Sequence, residues 1–496
     1  MQKNLPTTLG ALKKTGYKVR SIKDEMRANL THALEANINL FDGIQGYESS
    51  VIPQLQTAIL SKHNIILLGL RGQAKTKIAR LMIRLLDEYI PIVEGSEIND
   101  DPFNPLSRFA KNLIEEKGDN TPISWMHRDM RYTEKLATPD VSVADLIGDA
   151  DPIKAATLKL PYSDERVIHY GLIPRSNRGL FVINELPDLQ ARIQVSLFNI
   201  LQEGDIQIRG FKLRLPLDIQ FVFTANPEDY TNRGSIVTPL KDRIDSQILT
   251  HYPKTLEIAQ SITTQEAHIS AEVLEAVYCA PLMKRIIERV AFEARESEFV
   301  DKKSGVSARL TISAYENLYS SAYRRMLLQH SKSEFVRVTD LMSIIPNITG
   351  KVELVYEGEM EGVSNVAQNL LGKAIRSEFL EHFPDPNQLA KTKQRAKGPF
   401  EKIVNWFNEN TLFLNSDLSL EEYTSRISQV DNLQEVVYAN NKGLSEIDTL
   451  IMMEFVLHGL AEYNKLSKFV SDTEIKFSDL MNSMLNRQQP NEEEEI

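Results

Sequence analysis

The sequence is poor in cysteine: among its 496 residues there is one, Cys279. An intrachain disulfide and a Cys-x-x-Cys metal or redox site are therefore excluded. The sequence also lacks a run of the roughly 18 consecutive apolar residues that mark a membrane-spanning helix. Its polar, basic first residues contain no apolar stretch of the kind that secretory signals have. We therefore expect a cytoplasmic protein without a membrane span.

The chain also lacks an excess of positive charge. Lysine and arginine number 57 against 68 aspartates and glutamates, which gives a net charge of −11. Proteins that bind nucleic acid non-specifically normally carry a basic face, so nucleic acid is not an expected partner, although this total leaves room for a local basic groove. The composition, 42% hydrophobic and 25% charged, is that of a globular protein with a sizeable core. At about 100–200 residues per domain, the length predicts about two to four domains.

Strands and helices alternate in the first half of the sequence. Buried strands are predicted at 64–68, 180–183 and 219–223, and helical periodicity covers most of 18–62 and then 76–89. This alternation favours a parallel sheet covered by helices on both faces. The first helical region takes its predicted apolar face from Met26, Leu30, Leu34 and Ile38.

The pattern divides the chain into four segments. Residues 1–40 form an N-terminal helical segment, and residues 41–252 form an α/β core with a polar insertion near 91–125. The pattern is helical from 253 to 345, and it is again mostly helical from 346 to 496, where the chain ends in a short acidic tail. We expect domain boundaries near residues 252 and 346.

A glycine-containing turn lies between the first predicted strand and the helix that follows it. Glycines let the backbone curl so that several N–H groups point at phosphate oxygens, and the start of the helix adds its positive dipole end. Lys75 is expected to bridge the β- and γ-phosphates of a nucleotide, and the Thr76 hydroxyl to coordinate Mg²⁺. Alanine stands where glycine usually precedes the lysine, and we expect it to fit with a negative φ. The predicted loop consists of Gly69, Leu70, Arg71, Gly72, Gln73, Ala74, Lys75 and Thr76.

The strand predicted at 180–183 ends in two polar residues, as a Walker B strand does. Glu185 is the predicted general base that polarises the attacking water. Asn184 stands where an aspartate normally holds Mg²⁺ through water. An amide can still accept a hydrogen bond from a metal-bound water, but it brings no negative charge.

Three further polar residues follow in an order that fits ATP hydrolysis. Asn226 ends the next strand and could orient the water between the γ-phosphate and Glu185, because parallel strands end at one edge of a sheet. Arg243 is a candidate arginine finger for a neighbouring subunit's site, with an ion pair to Asp242 or Asp245 as the alternative. Arg309 begins a helix and could reach the γ-phosphate; a solvated arginine is the alternative.

This order of motifs resembles that of AAA+ ATPases, and several strings are similar to the helix-2-insert branch that contains the magnesium chelatase ATPase subunit and the MoxR-type ATPases. The segments 171–189 and 201–229 resemble the chelatase runs through the Walker B strand and the Asn sensor, and 238–245 resembles the finger motif. The segment 41–55 resembles the family's opening, where the backbone near Ile44 would meet adenine. Asn184 is a departure from the family pattern.

The resemblance implies an AAA+ P-loop core with a parallel sheet, followed by an all-α lid and here by a mostly helical C-terminal extension. It implies ATP and Mg²⁺ as cofactors and assembly of the chain with itself into a ring, expected to be a hexamer. It also implies a helix-2 insert within 146–171 and a hairpin around 207–213, the latter also predicted from its turn and flanking strand residues. Arg178 is a candidate sensor across the subunit boundary. The hairpin residues that could contact a partner, or simply be solvated, are Arg209, Lys212 and Arg214.

The implied function is that of an ATP-hydrolysing motor, MoxR-like and magnesium-chelatase-like, which remodels a client as a chaperone or loads metal into it. Such clients often carry a von Willebrand factor A domain. The alternative is the ATPase subunit of a tetrapyrrole metal chelatase. An enhancer-binding regulator or a helicase is less well supported, because the regulator's Gly-Ala-Phe-Thr-Gly-Ala loop is absent from the sequence and a helicase would favour a basic pore.

Overall fold

The computed structural model describes the chain in two compact units, residues 1–252 and 253–496. No helix in the described part of the chain is long and apolar enough to cross a membrane. The structure describes residues 5–162, 164–208, 211, 214–227, 235–387, 398–471 and 474–480.

The strands of the first unit build a central sheet and several two-stranded ribbons. Five strands form the sheet in the order β11-β1-β10-β7-β4, all of them parallel. The ribbons pair β2 with β3, β5 with β6 and β8 with β9, each antiparallel. The strands are β1 (Ile65–Leu68), β2 (Tyr89–Val93), β3 (Ile123–His127), β4 (Tyr132–Leu136), β5 (Gly148–Ala150), β6 (Ile168–Tyr170), β7 (Gly179–Asn184), β8 (Asp205–Gln207), β9 (Arg214–Pro216), β10 (Ile219–Ala225) and β11 (Ser246–Leu249).

The sheet is covered on both faces, which explains why its inner strands read as unbroken apolar runs. Every residue of β1, β7 and β10 is buried. Neighbouring side chains nevertheless enter different cores: Phe181 packs in one cluster, while Leu180 and Val182 pack in the other. The predicted parallel sheet and its three predicted strands are therefore confirmed.

Short helices surround this sheet. α2, α3 and α4 contribute to the core on one face, and the second core includes residues of α6, α7, α9 and α10. The helices of the first unit are α1 (Leu9–Lys14), α2 (Ile22–Glu35), α3 (Val51–Leu60), α4 (Lys75–Leu81), α5 (Arg108–Lys117), α6 (Val143–Leu146), α7 (Pro152–Leu158), α8 (Leu172–Arg175), α9 (Ala191–Ser196), α10 (Phe198–Glu203) and α11 (Thr238–Asp242).

The first predicted helical region is two helices, and only part of its predicted apolar face is buried. Met26 and Leu30 lie in the core, as expected. Leu34 is 43% exposed and Ile38 is 53% exposed, so their predicted burial is wrong. For Ile38 the reason is that α2 stops at Glu35 and the chain turns away through a left-handed residue two positions later.

The helix predicted over 76–89 is also too long. α4 ends at Leu81, a 3₁₀ turn covers Met82–Leu85, and β2 begins at Tyr89. Pro91 favours an extended conformation for the residue before it, and β2 pairs with β3 across the polar insertion. The insertion therefore carries an antiparallel ribbon and the helix α5 rather than an irregular loop.

A buried ion pair ties helix α2 to the start of β4. The two terminal nitrogens of Arg131 each lie 2.7 Å from an oxygen of Glu25, and the side chains are 1% and 5% exposed. The Nε–H of Arg131 donates to the carbonyl of Arg178 at 2.8 Å. Planar bidentate pairing of this kind fixes the relative orientation of the two side chains as well as the distance between them.

The second unit is mostly helical and closes around one apolar core. Residues of both predicted segments, the lid and the C-terminal extension, share that core, for example Ile286, Leu318 and Phe455. The division predicted at residue 346 stays a prediction. The helices are α12 (Leu256–Glu266), α13 (Ala271–Ala276), α14 (Pro281–Glu296), α15 (Arg309–Leu328), α16 (Ile345–Thr349), α17 (Tyr356–Glu361), α18 (Val363–His382), α19 (Glu401–Trp406), α20 (Leu420–Ser428), α21 (Leu433–Asn440) and α22 (Glu446–Glu462).

Strands are few in this unit, and a buried carboxylate organises its centre. Glu454 accepts hydrogen bonds from the backbone N–H groups of Val338 and Thr339 at 2.8 Å each and from the Tyr423 hydroxyl at 2.7 Å. These partners come from different segments, so the carboxylate joins them. The strands are β12 (Val277–Tyr278), β13 (Glu334–Phe335), β14 (Leu412–Asn415), β15 (Ser467–Val470) and β16 (Glu474–Ser478).

The Glu25–Arg131 pair yields a first prediction. Arg131→Ala leaves a buried carboxylate without its cation, so we expect it to lower the free energy of unfolding of the first unit by about 3–5 kcal/mol. Urea unfolding followed by the fluorescence of Trp125, in a Trp406→Phe background that removes the other tryptophan, measures the change.

The matched control is Arg166→Ala, which removes an exposed arginine paired with Asp164 at 2.7 Å. We expect this variant to unfold at the urea concentration of the parent, because exposed pairs contribute little. Equal midpoints for the two variants would contradict the role of the buried pair.

Candidate functional site

The predicted phosphate loop joins β1 to α4, and its first residue has to be glycine. The Gly69 N–H donates to the carbonyl of Ala225 at 3.1 Å, which seats the loop beside the end of β10. A Cβ atom at position 69 would lie 1.8 Å from the Thr250 Oγ1 and 2.2 Å from the Gln73 Oε1. Any side chain there would therefore displace both neighbours.

The residue before the lysine adopts a strained conformation. Ala74 has a φ of +57° and a ψ of +16°, so the expectation of a negative φ is wrong. Gly72 also has a positive φ, +72°. For a residue with a Cβ, the left-handed region costs about 1–2 kcal/mol, because the Cβ approaches the following carbonyl oxygen. The loop keeps the shape that a glycine would favour and accepts this strain at Ala74.

Lys75 begins helix α4 and turns back over the loop. Its ammonium donates to the carbonyl oxygens of Gly69 and, at 2.9 Å, of Leu70, and the residue is 8% exposed. The cation is thus held at the centre of the turn whose backbone would receive phosphate. A lysine there can exchange carbonyl oxygens for phosphate oxygens.

Side chains that the sequence did not indicate hold the phosphate loop in place through hydrogen bonds. The Thr250 hydroxyl donates to the Gln73 Oε1 at 2.7 Å, and the Tyr47 hydroxyl donates to the carbonyls of Gln73 at 3.0 Å and His251 at 2.7 Å. The Tyr252 hydroxyl donates to the carbonyl of Arg71 at 3.0 Å. Tyr47 lies within the segment 41–55 whose resemblance to the family opening was noted, but that resemblance assigned it no role.

The predicted adenine segment lies beside the same helix. Ile44 is 8% exposed and packs in the core that α4 also enters. The Lys77 ammonium donates to the carbonyl of Gly43 at 3.0 Å, which fixes this segment against α4. The contact of the Ile44 backbone with adenine stays a prediction.

The end of β7 carries the predicted base in an unusual backbone conformation. Glu185 has a φ of +53° and a ψ of +51°. Its N–H donates to the Thr224 hydroxyl at 3.2 Å, a side chain of the neighbouring strand β10. Left-handed conformations of non-glycine residues persist only where surrounding contacts impose them, and they concentrate at functional sites.

Asn184 is bonded on both sides of its amide. Its Nδ2 donates to the Glu134 Oε1 at 2.6 Å, and its Oδ1 accepts the Thr224 hydroxyl at 3.1 Å. Glu134 lies on β4, the neighbouring strand, and its carboxylate also accepts two hydrogen bonds from Arg80, at 2.9 and 3.2 Å, and one from the Tyr132 hydroxyl at 2.9 Å. No sequence motif indicated Glu134.

The pKa of Glu134 lies below its usual range. Partial burial acts to raise the pKa, but the hydrogen bonds and charge of Arg80, with the hydrogen bonds of Tyr132 and Asn184, outweigh it. In the same cluster, burial and the Glu134 carboxylate raise the pKa of Tyr132. Glu134 is therefore ionised at neutral pH, and Tyr132 remains a donor.

Asn226 follows β10, between the phosphate loop and the predicted base. Leu68 pairs with Ala225, and Phe223 pairs with Ile183, so the ends of β1, β10 and β7 meet at one edge. Asn226 is 5% exposed there. The structure therefore brings the loop, Asn226 and the end of β7 together; the roles of these residues in chemistry stay predictions.

Arg243 is held in a defined orientation. Its Nε and Nη2 donate to the Gln202 Oε1 at 3.0 and 2.8 Å, its Nη1 donates to the carbonyl of Pro239 at 2.7 Å, and its guanidinium carbon lies 5.0 Å from the Phe198 ring centroid. The alternative ion pair with Asp242 or Asp245 is not found among the contacts of the described residues.

The remaining predicted arginines have different surroundings. Arg309 is the first residue of α15 in the second unit, and its N–H donates to the Ser307 hydroxyl at 3.1 Å; its action on the γ-phosphate stays a prediction. Arg178 is 7% exposed, with Asp101 at 2.9 Å and the Tyr17 hydroxyl at 3.0 Å from its guanidinium. These partners hold the Arg178 guanidinium within its own chain; its role as a sensor across a subunit boundary stays a prediction.

The two predicted projections have the expected topology. β5 and β6 form an antiparallel pair around α7, within the predicted helix-2 insert, and β8 and β9 form the predicted hairpin. Arg214 on β9 is exposed and lies 3.5 Å from Asp205. Arg209, Lys212 and the acidic tail lie outside the described residues.

The donor atoms at the strand edge fit Mg²⁺. Thr76 offers a hydroxyl and Asn184 an amide oxygen, both hard oxygen donors. The described residues contain no group of three or more His, Cys, Asp or Glu that could hold a metal ion. Mg²⁺ is usually bound through one or two carboxylates together with substrate phosphates. Here a hydroxyl and an amide oxygen would take the place of the carboxylates for an ion that arrives with a nucleotide.

Comparison with known proteins relates the chain to magnesium chelatase. Over 241 residues it is 24% identical to the magnesium-chelatase 38 kDa subunit of Cereibacter sphaeroides, a match that covers 47% of this chain and 64% of that protein. A second match, to the subunit of Rhodobacter capsulatus, is 24% identical over 221 residues and covers 44% of this chain and 57% of that protein. The matches thus span less than two thirds of the curated relatives. No family model matches the sequence.

Two solved structures illustrate the similarity at the level of the chain. One is a model of the magnesium-chelatase BchI–BchD complex based on cryo-electron microscopy, 20% identical, covering 64% of this chain and 98% of that chain at a TM-score of 0.32. The other is NtrX from Brucella abortus with ADP, 12% identical, covering 70% and 66% at a TM-score of 0.38. The strand order of the chain's own sheet, with the glycine loop after β1, agrees with the AAA+ P-loop core predicted from the sequence.

The strain at Ala74 yields a second prediction. Ala74→Gly removes about 1–2 kcal/mol of left-handed strain and loses about 0.4–1 kcal/mol because the unfolded chain gains freedom. We expect a net gain, seen as a higher thermal midpoint of the nucleotide-free first unit by Trp125 fluorescence in the Trp406→Phe background.

Ala79→Gly is the matched control, since Ala79 is buried inside the same helix. It should lower the midpoint, because glycine in a helix is less favourable than alanine by about 1 kcal/mol. A lower midpoint for both variants would show that Ala74 is not strained.

Proposed function

We propose that this chain, a relative of magnesium-chelatase 38 kDa subunits with an AAA+ P-loop fold, binds ATP with Mg²⁺ and hydrolyses it. One observation carries the proposal. The glycine turn with Lys75, the buried Asn226 and the strained Glu185 follow three adjacent parallel strands at the same edge. Ligands of open α/β sheets bind outside the carboxyl ends of the strands, where these residues lie.

Binding would use the loop and the helix that follows it. Backbone N–H groups of the turn receive phosphate oxygens, and Lys75 moves from the carbonyls of Gly69 and Leu70 to the β- and γ-phosphates. Thr76 and Asn184 would hold Mg²⁺, which when bound neutralises phosphate charge. The adenine would lie against the backbone near Ile44, which Lys77 fixes beside α4 through Gly43.

Hydrolysis needs a water in line with the γ-phosphate and a base that receives its proton. Glu185 is the proposed base, since it directly follows β7 at the edge where the phosphate loop lies. Asn226, on the strand between the loop and β7, is the proposed orienting group for that water. The hydrogen bond from the Glu185 N–H to Thr224 supports the conformation.

The active assembly is proposed to be a ring in which Arg243 completes a neighbour's site. The contacts with Gln202 and Phe198, one helical turn apart on α10, hold the guanidinium on the molecule's own surface, and no acidic partner occurs among the described residues. An arginine finger that is not paired with a carboxylate can stabilise the negative charge that develops on the transferred phosphoryl group. Arg309 is the proposed lid arginine for the γ-phosphate.

The work performed is proposed to be remodelling of a client protein, or metal loading into it, with a von Willebrand factor A domain protein as the expected partner. The helix-2 insert presents apolar side chains to solvent: Ile153 is 76% exposed, Tyr162 61% and Leu158 52%. Exposed apolar groups on a projecting element favour contact with another protein. Hydrolysis would move the insert and the hairpin against that client.

The second candidate is the ATPase subunit of a tetrapyrrole metal chelatase. The similarity to two magnesium-chelatase 38 kDa subunits favours it. Capture of bound proteins by a Glu185→Gln chain loaded with ATP separates the candidates. A von Willebrand factor A protein without chelatase subunits would favour remodelling, and chelatase subunits would favour the second candidate.

ATP hydrolysis is tested by changing the base and the loop lysine separately. Glu185→Gln should bind ATP as the parent does but lower kcat by about 10²–10⁴-fold, the usual contribution of a general base. Lys75→Ala should lose ATP binding. Binding of a fluorescent ATP analogue and release of phosphate measure the two effects.

Glu115→Gln, an exposed carboxylate on α5, is the control and should leave both measurements unchanged. Parental turnover in Glu185→Gln would refute the assignment of the base. Undiminished ATP binding by Lys75→Ala would refute the nucleotide site itself.

The finger is tested by mixing subunits. Arg243→Ala should bind ATP normally yet lose about 10³-fold or more in kcat, because the charge on the transferred group is no longer met. Mixing Arg243→Ala with Glu185→Gln should restore activity, since some interfaces then combine an intact base with an intact finger from the neighbour.

Arg27→Ala removes an exposed arginine from α2 and should keep full activity. If the mixture stays as inactive as its two components while size-exclusion chromatography shows mixed assemblies, Arg243 does not act on a neighbour's site.

A further inference from the structure

Asn184 stands at the position of the usual Walker B aspartate, and its amide faces the carboxylate of Glu134. The Nδ2 of Asn184 lies 2.6 Å from the Glu134 Oε1, a charge-assisted hydrogen bond between neighbouring strands. The register places Glu134 opposite Val182. Val182 lies two residues before Asn184 on β7, so Glu134 and Asn184 are on the same face of the sheet. Both side chains are therefore on the α4 side, where the phosphate loop helix packs.

A carboxylate decides which end of the amide points toward it. An amide has a donor end and an acceptor end of nearly the same shape, whereas an ionised carboxylate only accepts. Glu134 therefore requires the Nδ2 of Asn184 on its side. The Oδ1 is left on the other side, where it accepts the Thr224 hydroxyl at 3.1 Å. The oxygen that a metal-bound water needs is thus selected by Glu134.

Glu134 is itself firmly held. Arg80 donates to both carboxylate oxygens, and the Tyr132 hydroxyl donates to one of them. Arg80 follows Thr76 by one turn of α4, so the same helix carries a proposed magnesium ligand and the clamp on Glu134. The cluster thereby connects α4, β4 and β7 below the phosphate edge.

We infer that Glu134 is a positioning residue for the magnesium site, and that Asn184 and Glu134 form one matched unit: an amide at 184 works because a carboxylate stands at 134. The inference rests on the proposed function. It carries a consequence contrary to the family pattern. Aspartate at 184, the usual residue of a Walker B strand, would set two carboxylates against each other here and should impair the site.

The test compares nucleotide binding with and without Mg²⁺ in a Glu185→Gln background, which keeps ATP from being consumed. The quantity is the Mg²⁺-dependent gain in affinity for a fluorescent ATP analogue. Glu134→Gln lets the Asn184 amide turn either way, and Asn184→Asp creates the carboxylate pair. We expect each change to reduce the gain about tenfold, as for one lost charge-assisted hydrogen bond.

The double change, Glu134→Gln with Asn184→Asp, restores a donor facing an acceptor with the roles exchanged. We expect it to recover the parental gain within a factor of about two, as complementary partners in a double-mutant cycle do. Glu115→Gln makes the same carboxylate-to-amide change at an exposed position of α5 outside the cluster, so it should retain the full gain.

Additive losses in the double variant, or a larger gain in Asn184→Asp alone, would overturn the matched unit. A purely structural pair would lower the thermal midpoint of the single variants without changing the Mg²⁺-dependent gain. If the single variants do not fold, a folded double variant without the gain also overturns it. If the parent binds no ATP, the proposed function is overturned. If the parent shows the Mg²⁺-dependent gain and the single variants show the same gain, only this inference is overturned.

Discussion

The register of three parallel strands is the constraint on which the candidate site depends. β10 lies between β1 and β7, and its pairing with both brings the ends of the three strands to one edge. The chain then only has to place a glycine turn, a buried amide and a carboxylate immediately after those ends. Residues that are far apart in sequence become neighbours because backbone hydrogen bonds, rather than side-chain contacts, set their spacing.

Two residues that follow those strand ends are strained, and the contacts around them explain how the strain persists. Ala74 and Glu185 both adopt left-handed conformations, each a cost of about 1–3 kcal/mol for a residue with a side chain. Around the first, Thr250 and Tyr47 fix the loop through Gln73; beside the second, Thr224 accepts the backbone N–H. The buried sheet therefore supplies the rigidity that holds an edge shaped for a ligand.

The sequence was sufficient for the sheet and for the motif residues at its ends, because buried strands are recognisable as apolar runs and polar residues follow them directly. Prediction from the sequence failed where helical periodicity continues beyond the true end of a helix, as at Ile38, or extends into residues that form a strand, as at Tyr89. Glu134 was missed for another reason: its partner Asn184 is 50 residues away, and no spacing rule connects them. Tertiary pairing alone identifies that contact.

Asn184 shows why a single departure from a motif is a weak guide to lost chemistry. Considered alone, an amide in place of a carboxylate removes a charge and an acceptor. Considered with β4, a carboxylate is still present within hydrogen-bond distance, and it is ionised because Arg80 and Tyr132 stabilise its charge. In the proposed site, β4 rather than β7 carries the acid, and an amide is the group placed toward the metal. A motif position therefore has meaning only together with the side chain that the neighbouring strand places against it, and substitutions at the two positions should be judged as a pair.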